Sequence, residues 1–180
     1  MKDRSSRKKI RLENRDYSMN GAYFITICTK DRFPYLSEIR TSMMFDDNNV
    51  GDGVLDVPNV ELTEFGKITE DVLIEINEHY QFIDIMNYVI MPDHLHLIIS
   101  VNHERSGGTS RTPSPTNATI PALVSTFKRF VNKRIGFNIW QRSYYDHIIR
   151  GEGEFAEIWR YIENNPLNHA NNIFNQNLWR

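Results

Sequence analysis

The chain has 180 residues, 40% of them hydrophobic, and a formal net charge of −2 at pH 7. This length suits one domain with a substantial core and is short for two. No apolar run approaches the roughly 20 residues of a membrane span, and no apolar segment follows the charged N-terminus, so we expect neither a membrane helix nor a secretory signal. The single cysteine, Cys28, lies in an apolar run and is expected to be a buried structural residue of a cytoplasmic protein.

Basic residues are concentrated in two places. Residues 1–16 hold seven bases against three acids, so residues 1–20 are predicted to be a basic N-terminal arm and residues 21–180 a single domain. A second group lies in a predicted helix and comprises Lys128, Arg129, Lys133 and Arg134. Such groups can attract a polyanion such as nucleic acid. A solvated tail and an ordinary charged helix face would account for them equally well.

The first half of the chain predicts a strand followed by a helix. Residues 22–29 are rich in aromatic and β-branched side chains, as is typical of a strand. Residues 40–60 are polar and acidic and predict a loop or an irregular hairpin. Thr63 can cap a helix that continues to about Tyr80, because apolar residues then recur every four positions.

The second half predicts two strands, a helix, a strand and a last helix. The Pro-Asp pair at 92–93 forms the turn between the first two strands, and a Ser-, Thr-, Gly- and Pro-rich loop follows them. Gly136 ends the next helix and Pro166 is expected to stop the last one. These elements are predicted at residues 82–91, 94–101, 120–135, 139–149 and 151–164.

This order of elements is that of a ferredoxin-like fold. The chain is predicted to be α+β, with a split βαβ antiparallel sheet, helices on one face, and an additional C-terminal helix. The fold by itself does not determine function, because many unrelated activities use it.

Two histidines lie two residues apart in an otherwise apolar predicted strand. Side chains alternate along a strand, so His94 and His96 should point to one face while Leu95 points to the other. Two imidazoles on one rigid face can bind a metal ion, and a third ligand would have to come from elsewhere. Histidines hydrogen-bonded at a sheet surface are the simpler interpretation of such a pair taken alone.

The last predicted helix carries Tyr161 at the edge of its apolar stripe, with Asn165 four residues later on the same side. A packed ring with a solvated hydroxyl is the ordinary interpretation of such a tyrosine.

The predicted strand before this helix contains residues that compete with Tyr161 for a functional role. Tyr144 and Tyr145 are competing nucleophiles, and His147 is a competing ligand or base. The same strand carries Arg142 and Arg150, which could contact phosphates, although all of these residues can equally be simple sheet residues.

Taken together, these segments resemble the single-tyrosine HUH transposases of small bacterial insertion sequences, and most closely the REP-associated tyrosine transposase branch. Each segment is weak alone, but their order and spacing are specific. The segments that carry the resemblance are residues 22–29, 89–96, 127–130, 140–150 and 161–166.

The resemblance implies a metal-dependent endonuclease and strand transferase that cuts single-stranded DNA at or beside hairpins through a 5′-phosphotyrosine. It implies that Tyr161 is the nucleophile and that His94 and His96 bind Mg²⁺ or Mn²⁺. Asn165 falls where insertion-sequence relatives carry a glutamine ligand, and asparagine is shorter by one methylene. A metal-bound hydroxide or a neighbouring histidine would take the phenol proton.

The resemblance also implies partners and a location. The expected partner is a repeat-type DNA hairpin, the expected state is a monomer or homodimer, and the expected location is the cytoplasm in association with the nucleoid. Phosphate contacts are expected from Lys8, Lys9, Arg11, Lys128, Arg129, Lys133, Arg134, Arg142 and Arg150. Two alternatives remain open: a hairpin-binding protein without catalysis, and an unrelated ferredoxin-like domain whose histidines hold a structural metal.

Overall fold

The computed structural model describes residues 20–40, 58–105 and 119–170. The predicted basic arm and most of the predicted 40–60 loop lie outside these ranges. Within them no helix is long and apolar enough to cross a bilayer. The elements in chain order are β1 (Gly21–Cys28), β2 (Ser37–Arg40), β3 (Asn59–Leu62), α1 (Glu64–His79), β4 (Ile83–Met91), β5 (His94–Val101), α2 (Thr119–Ile135), β6 (Tyr145–Ile149) and α3 (Gly151–Glu163).

The main sheet has the strand order β4-β5-β1-β6, and all of its neighbouring strands are antiparallel. With β2 and β3 set aside, the chain runs strand, helix, strand, strand, helix, strand, and the first strand is central. This is the ferredoxin-like arrangement, so the predicted α+β fold is confirmed. The strands β2 and β3 form a separate two-stranded sheet.

The two faces of the main sheet are covered by different helices. The larger core lies between the sheet and the pair α1 and α2, and it includes Leu95 and Leu97 of β5. A smaller core lies on the opposite face, where α3 packs Ile162 against Ile98 and Ile149. Odd-numbered residues at the start of β5 therefore face α1 and α2, whereas even-numbered residues face α3. The prediction that His94 and His96 lie on the opposite face of the sheet from Leu95 is confirmed.

The predicted helix boundaries agree with the structure where a capping residue was available. The Thr63 side chain accepts a hydrogen bond from the Gly66 backbone N–H at 3.1 Å, at the start of α1. Gly136 follows the last residue of α2 with a φ of +94°, a conformation that glycine adopts without steric cost.

The start of the last strand was predicted wrongly, whereas the end of the last helix was predicted to within one residue. The last strand was predicted from residue 139, but β6 begins at Tyr145, and only Trp140 makes an isolated bridge to Thr29. In the segment before β6, the carbonyl oxygens of Gln141 and Ser143 accept hydrogen bonds from the Lys128 ammonium group. The last helix was predicted to end at residue 164, before Pro166, and α3 ends at Glu163; residues 165–170 are helical again after the turn at Asn164. Proline is tolerated there because the first turn of a helix does not need its N–H.

Candidate active site

The His-x-His pair lies at the start of β5, on the face covered by α3. His96 is 5% exposed and the two rings are 4.7 Å apart between centroids. Burial lowers the pKa of His96 to about 3, so its imidazole is neutral at pH 7. Burial also lowers the pKa of His94, against the opposing effect of the neighbouring Asp93 carboxylate. Neutral imidazoles are the form that binds metal ions.

Each histidine has its Nδ1 atom bound to a neighbouring side chain. His94 Nδ1 lies 2.5 Å from Asp93 Oδ1, and His96 Nδ1 lies 2.8 Å from Thr26 Oγ1. When Nδ1 donates to such a partner, Nε2 carries the lone pair that can bind a metal. Burial alone would raise the pKa of Asp93, but its contacts with His94 and Arg32 hold that pKa below its usual value. The donor set is therefore chemically suited to a divalent cation.

Tyr161 is brought to the same place by α3. Its hydroxyl oxygen lies 3.4 Å from His96 Nε2, the nitrogen that Thr26 leaves unbound. The Tyr161 side chain is 46% exposed, so a substrate can reach its hydroxyl from solvent. The sheet and α3 together thus place a phenol next to an imidazole from a segment 65 residues away.

Phe24 supports this arrangement from β1, and the sequence did not single it out. Its ring stacks on His96 at 5.2 Å with an interplanar angle of 25°, and it meets Tyr161 edge-on at 6.0 Å. Phe24 also meets Tyr145 edge-on at 6.4 Å. The alternation of β1 puts Phe24 on the same face as Thr26, which is the signal that could have identified it.

The remaining ligand candidates lie beyond the end of α3. Asn165 is 8% exposed and follows Tyr161 by one helical turn. His169, half-buried a further turn along, is close enough to lower the pKa of His94, although burial of His94 is the larger cause. Tyr161, Asn165 and His169 follow one another at intervals of four residues, and this helical spacing is the signal that could have identified His169. Within the described residues, no three His, Cys, Asp or Glu side chains converge as a metal site, so a metal shell here would need the Asn165 amide or exogenous ligands.

The competing residues in β6 and directly before it differ from Tyr161 in their surroundings. Tyr144 packs on the core between the sheet and α1 and α2, with Lys128 Nζ 5.8 Å from its ring centroid. Tyr145 is on the other face and is 54% exposed. His147 Nε2 lies 2.6 Å from Glu154 Oε1 of α3, so this histidine is already bound to a carboxylate. Cys28, expected to be buried, is only half-buried, and it lies opposite His94 in the β1–β5 register.

The basic residues expected to contact DNA fall into three groups. Lys8, Lys9 and Arg11 lie outside the described residues. Lys128 is held by two carbonyl oxygens and burial lowers its pKa to about 8, so it connects α2 to the segment before β6. The other predicted contacts, Arg129, Lys133, Arg134, Arg142 and Arg150, are exposed, and of these Arg134 is paired with Glu75 at 2.6 Å.

A polar groove of about 550 Å³ lies between α2 and the segment leading to β6. Its lining contains three bases and no acid among the described residues. The polar residues that line it are Ser125, Lys128, Arg129, Asn132, Asn138, Gln141 and Arg142. Because α2 and α3 lie on opposite faces of the sheet, this groove is separate from the histidine site.

Comparison with known proteins identifies the family. A model of IS200-like transposases matches residues 59–165, which is more than half of the chain and ends at Asn165. The chain belongs to the IS200-like transposase family. It is therefore an enzyme of a class that acts on nucleic acid, and the family predicted from the sequence is confirmed. The matched segment contains both histidines, Tyr161 and Asn165.

Individual relatives agree with this assignment. An uncharacterized protein of Haemophilus influenzae is 32% identical over 176 residues, covering 89% of this chain and 88% of its own. A second protein of the same organism, named provisionally as a REP-associated tyrosine transposase, is 25% identical over 160 residues, covering 87% and 76%. The structure of a REP-associated tyrosine transposase bound to a REP hairpin matches with a TM-score of 0.54 at 19% identity, covering 88% and 74%. This last likeness concerns the fold.

Proposed function

We propose that this transposase cuts and rejoins single-stranded DNA at or beside a hairpin, with Tyr161 as the nucleophile and a divalent cation held by His94 and His96. The observation that carries the proposal is the 3.4 Å separation between the Tyr161 hydroxyl and His96 Nε2. A nucleophile must lie within reach of the groups that stabilise the phosphate it attacks. Tyr161 contacts the histidine pair and is also accessible to a substrate.

The reaction is a transfer of the phosphodiester from DNA to protein. The Tyr161 phenol gives up its proton as its oxygen attacks the scissile phosphorus and the bond from phosphorus to the 3′ oxygen breaks. The departing 3′ oxygen takes up a proton and becomes a 3′-hydroxyl, so protons balance over the step. The product is a phosphodiester between Tyr161 and the 5′ end of the downstream strand. Attack on this link by another DNA 3′-hydroxyl reverses the step and joins the strands, so no external energy source is needed.

The residues around Tyr161 have distinct parts in this reaction. Asp93 and Thr26 orient the two histidines, and Phe24 holds the faces of His96 and Tyr161 in place. Mg²⁺ or Mn²⁺ bound to the histidine Nε2 atoms would stabilise the charge that develops on the phosphate oxygens. Asn165 is the proposed further ligand. Single-stranded substrate fits an exposed site of this kind, because a flexible strand can enter it without melting a duplex.

The proposed partner is a repeat-type DNA hairpin of the nucleoid, bound by a monomer or a homodimer. The polar groove beside α2 has the charge to contact phosphates through Arg129 and Arg142. The structure of the REP-associated relative contains such a hairpin, and we extend that partner class to this chain on the basis of the shared family.

Incubation of the protein with single-stranded hairpin oligonucleotides and Mn²⁺, followed by a denaturing gel, tests the proposal. We expect a protein–DNA band that requires the metal and disappears in Tyr161→Phe. Tyr145→Phe is the matched control, because this exposed tyrosine also contacts Phe24, and it should retain the band. A band that persists in Tyr161→Phe would reject Tyr161 as the nucleophile. Tight hairpin binding without any band would favour a binding protein without catalysis, and unfolding on metal removal would favour a structural metal.

A further inference from the structure

Four aromatic rings from separate parts of the chain form a cluster at the end of the sheet where β5 begins. Phe33 lies 4.5 Å from Tyr35, and Tyr35 lies 6.1 Å from Phe65 and 6.0 Å from Phe137. Phe65 and Phe137 are 5.7 Å apart. Phe65 belongs to the first turn of α1, and Phe137 follows α2 directly after Gly136. We call these four residues the aromatic cluster.

Two rings of the aromatic cluster are exposed to solvent. Phe33 is 56% exposed and Phe137 is 46% exposed, whereas Tyr35 and Phe65 are half-buried and Tyr35 packs against the large core. Large apolar side chains that are exposed side by side mark binding surfaces more often than isolated ones do. The free energy lost by leaving two phenylalanines in water would be recovered when a flat apolar partner covers them.

The loop that carries Phe33 is held in an uncommon backbone conformation. Asp31 and Arg32 both have a φ of +56°, which side chains other than glycine rarely adopt. The loop is fixed at both ends. The Lys30 N–H donates to Ile139 O at 2.7 Å, and the Thr29 hydroxyl lies 2.8 Å from Phe33 O. This backbone fixes the position of Phe33 at the surface.

The aromatic cluster adjoins the histidine site. The Arg32 guanidinium, next to Phe33, binds the Asp93 carboxylate at 3.2 Å, and the same carboxylate binds His94 Nδ1. The Thr29 hydroxyl also lies 2.9 Å from Asp93 O, so the loop and the His-x-His turn are attached to each other. Phe137 of the cluster is followed directly in the chain by Asn138, which lines the polar groove.

We propose that Phe33 and Phe137 form a stacking surface for an unpaired nucleobase of the DNA strand that crosses the histidine and tyrosine site. This inference rests on the proposed function. A nucleobase is flat and apolar on its faces, and its phosphates match the exposed Lys30 and Arg32 of the same loop. The two bases of the loop favour a polyanion over an uncharged apolar partner, and the contacts from Arg32 through Asp93 to His94 put the stacked base within a few nucleotides of the cut.

The test measures equilibrium binding of fluorescent DNA by anisotropy, in a chelator so that no strand is cut. The probes are a hairpin with a single-stranded extension, the same hairpin with abasic sites in the extension, and a blunt hairpin. Stacking of one base contributes about 1–3 kcal/mol, so Phe33→Ala should weaken binding of the first probe by about 5- to 150-fold. It should leave the abasic and blunt probes unchanged, and Phe33→Trp should bind the first probe at least as well as the wild type.

Phe130→Ala is the matched control. Phe130 is 39% exposed on α2 and its ring lies under the Arg129 guanidinium at 5.1 Å, outside the aromatic cluster. It should bind all three probes as the wild type does. Phe137→Ala provides a second test should Phe33→Ala not fold, and we expect the same loss on the first probe.

Three outcomes would overturn the inference. Equal affinity of Phe33→Ala and wild type for the first probe, with the covalent band retained, would reject stacking while leaving the proposed function intact. A change of oligomeric state in Phe33→Ala, seen by sedimentation at unchanged DNA affinity, would make the cluster a contact between copies. Absence of any DNA binding by the wild type would reject the proposed function together with this inference.

Discussion

Replacement of Asp93 should weaken metal binding without unfolding the protein. The Asp93 backbone carbonyl accepts a hydrogen bond from Thr29 N–H at 2.9 Å, so the turn before β5 is held whatever side chain is present. What the replacement removes is the 2.5 Å contact with His94 Nδ1. That contact fixes the ring orientation and makes Nε2 a better ligand.

The expected size follows from this contact. Loss of the partner of a metal-binding histidine lowers affinity by about 10- to 100-fold, or about 1.4–2.7 kcal/mol. Asp93→Asn keeps an acceptor oxygen but loses the charge, so its loss of Mn²⁺ affinity should be about 10-fold. Asp93→Ala loses both, so its loss of affinity should be about 100-fold. Isothermal titration calorimetry with Mn²⁺ measures both, with Asp71→Asn on the exposed side of α1 as a control.

Arg32→Gln separates the two contacts of this carboxylate. The Arg32–Asp93 ion pair is partly exposed, with side-chain exposures of 53% and 23%, so its loss should cost no more than about 1 kcal/mol. Mn²⁺ affinity should then change by less than about fivefold. Wild-type Mn²⁺ affinity in both Asp93 variants would refute the assigned role of the carboxylate.

Three further predictions concern the same fold and site. Gly66→Ala should lower the free energy of unfolding in urea by about 3 kcal/mol or more, because the added Cβ would lie 1.9 Å from Leu36 O. Gly153→Ala, where a Cβ meets open space, should raise the free energy of unfolding by about 0.5–1 kcal/mol. A small loss of stability in Gly66→Ala would contradict the close approach of Leu36 to Gly66. Because the pKa of His96 is about 3 in the folded protein and about 6.5 in the unfolded chain, only the unfolded chain takes up that proton between these pH values. Metal-free stability should therefore fall as pH drops from 6.5, with up to about 1.4 kcal/mol per pH unit from this residue, and His96→Gln should show a correspondingly shallower slope. Thr26→Val should lower Mn²⁺ affinity by about tenfold at nearly unchanged volume, and an unchanged affinity would mean that the His96 ring needs no such partner.

Local patterns in the sequence were sufficient for the elements and for the orientation of the histidines. The alternation of β5 predicts that His94 and His96 face away from Leu95, and the structure has Leu95 in the α1–α2 core and His96 beside Tyr161. The capping threonine at 63 and the glycine at 136 likewise set helix ends correctly, because their effects act within a few residues.

Contacts between distant segments could not be predicted in this way. Periodicity does not tell which face of the sheet α3 covers, so a site shared by Tyr161 and the histidines was expected from the resemblance alone, and the supporting role of Phe24 came only from the structure. The late start of β6 was not predicted either, and the segment before it contains no sequence signal of the hydrogen bonds that its carbonyl oxygens accept from Lys128 of α2. Patterns of periodicity contain no information on such long-range hydrogen bonds.

The central claim is that Tyr161 becomes covalently attached to DNA. Its most direct test is mass spectrometry of the protein after reaction with a hairpin oligonucleotide and Mn²⁺, followed by nuclease and protease digestion. We predict a nucleotide phosphate on the peptide that contains Tyr161, and unmodified peptides containing Tyr144 and Tyr145. A modified Tyr144 or Tyr145 peptide, or DNA cut with no modified peptide at all, would contradict the account.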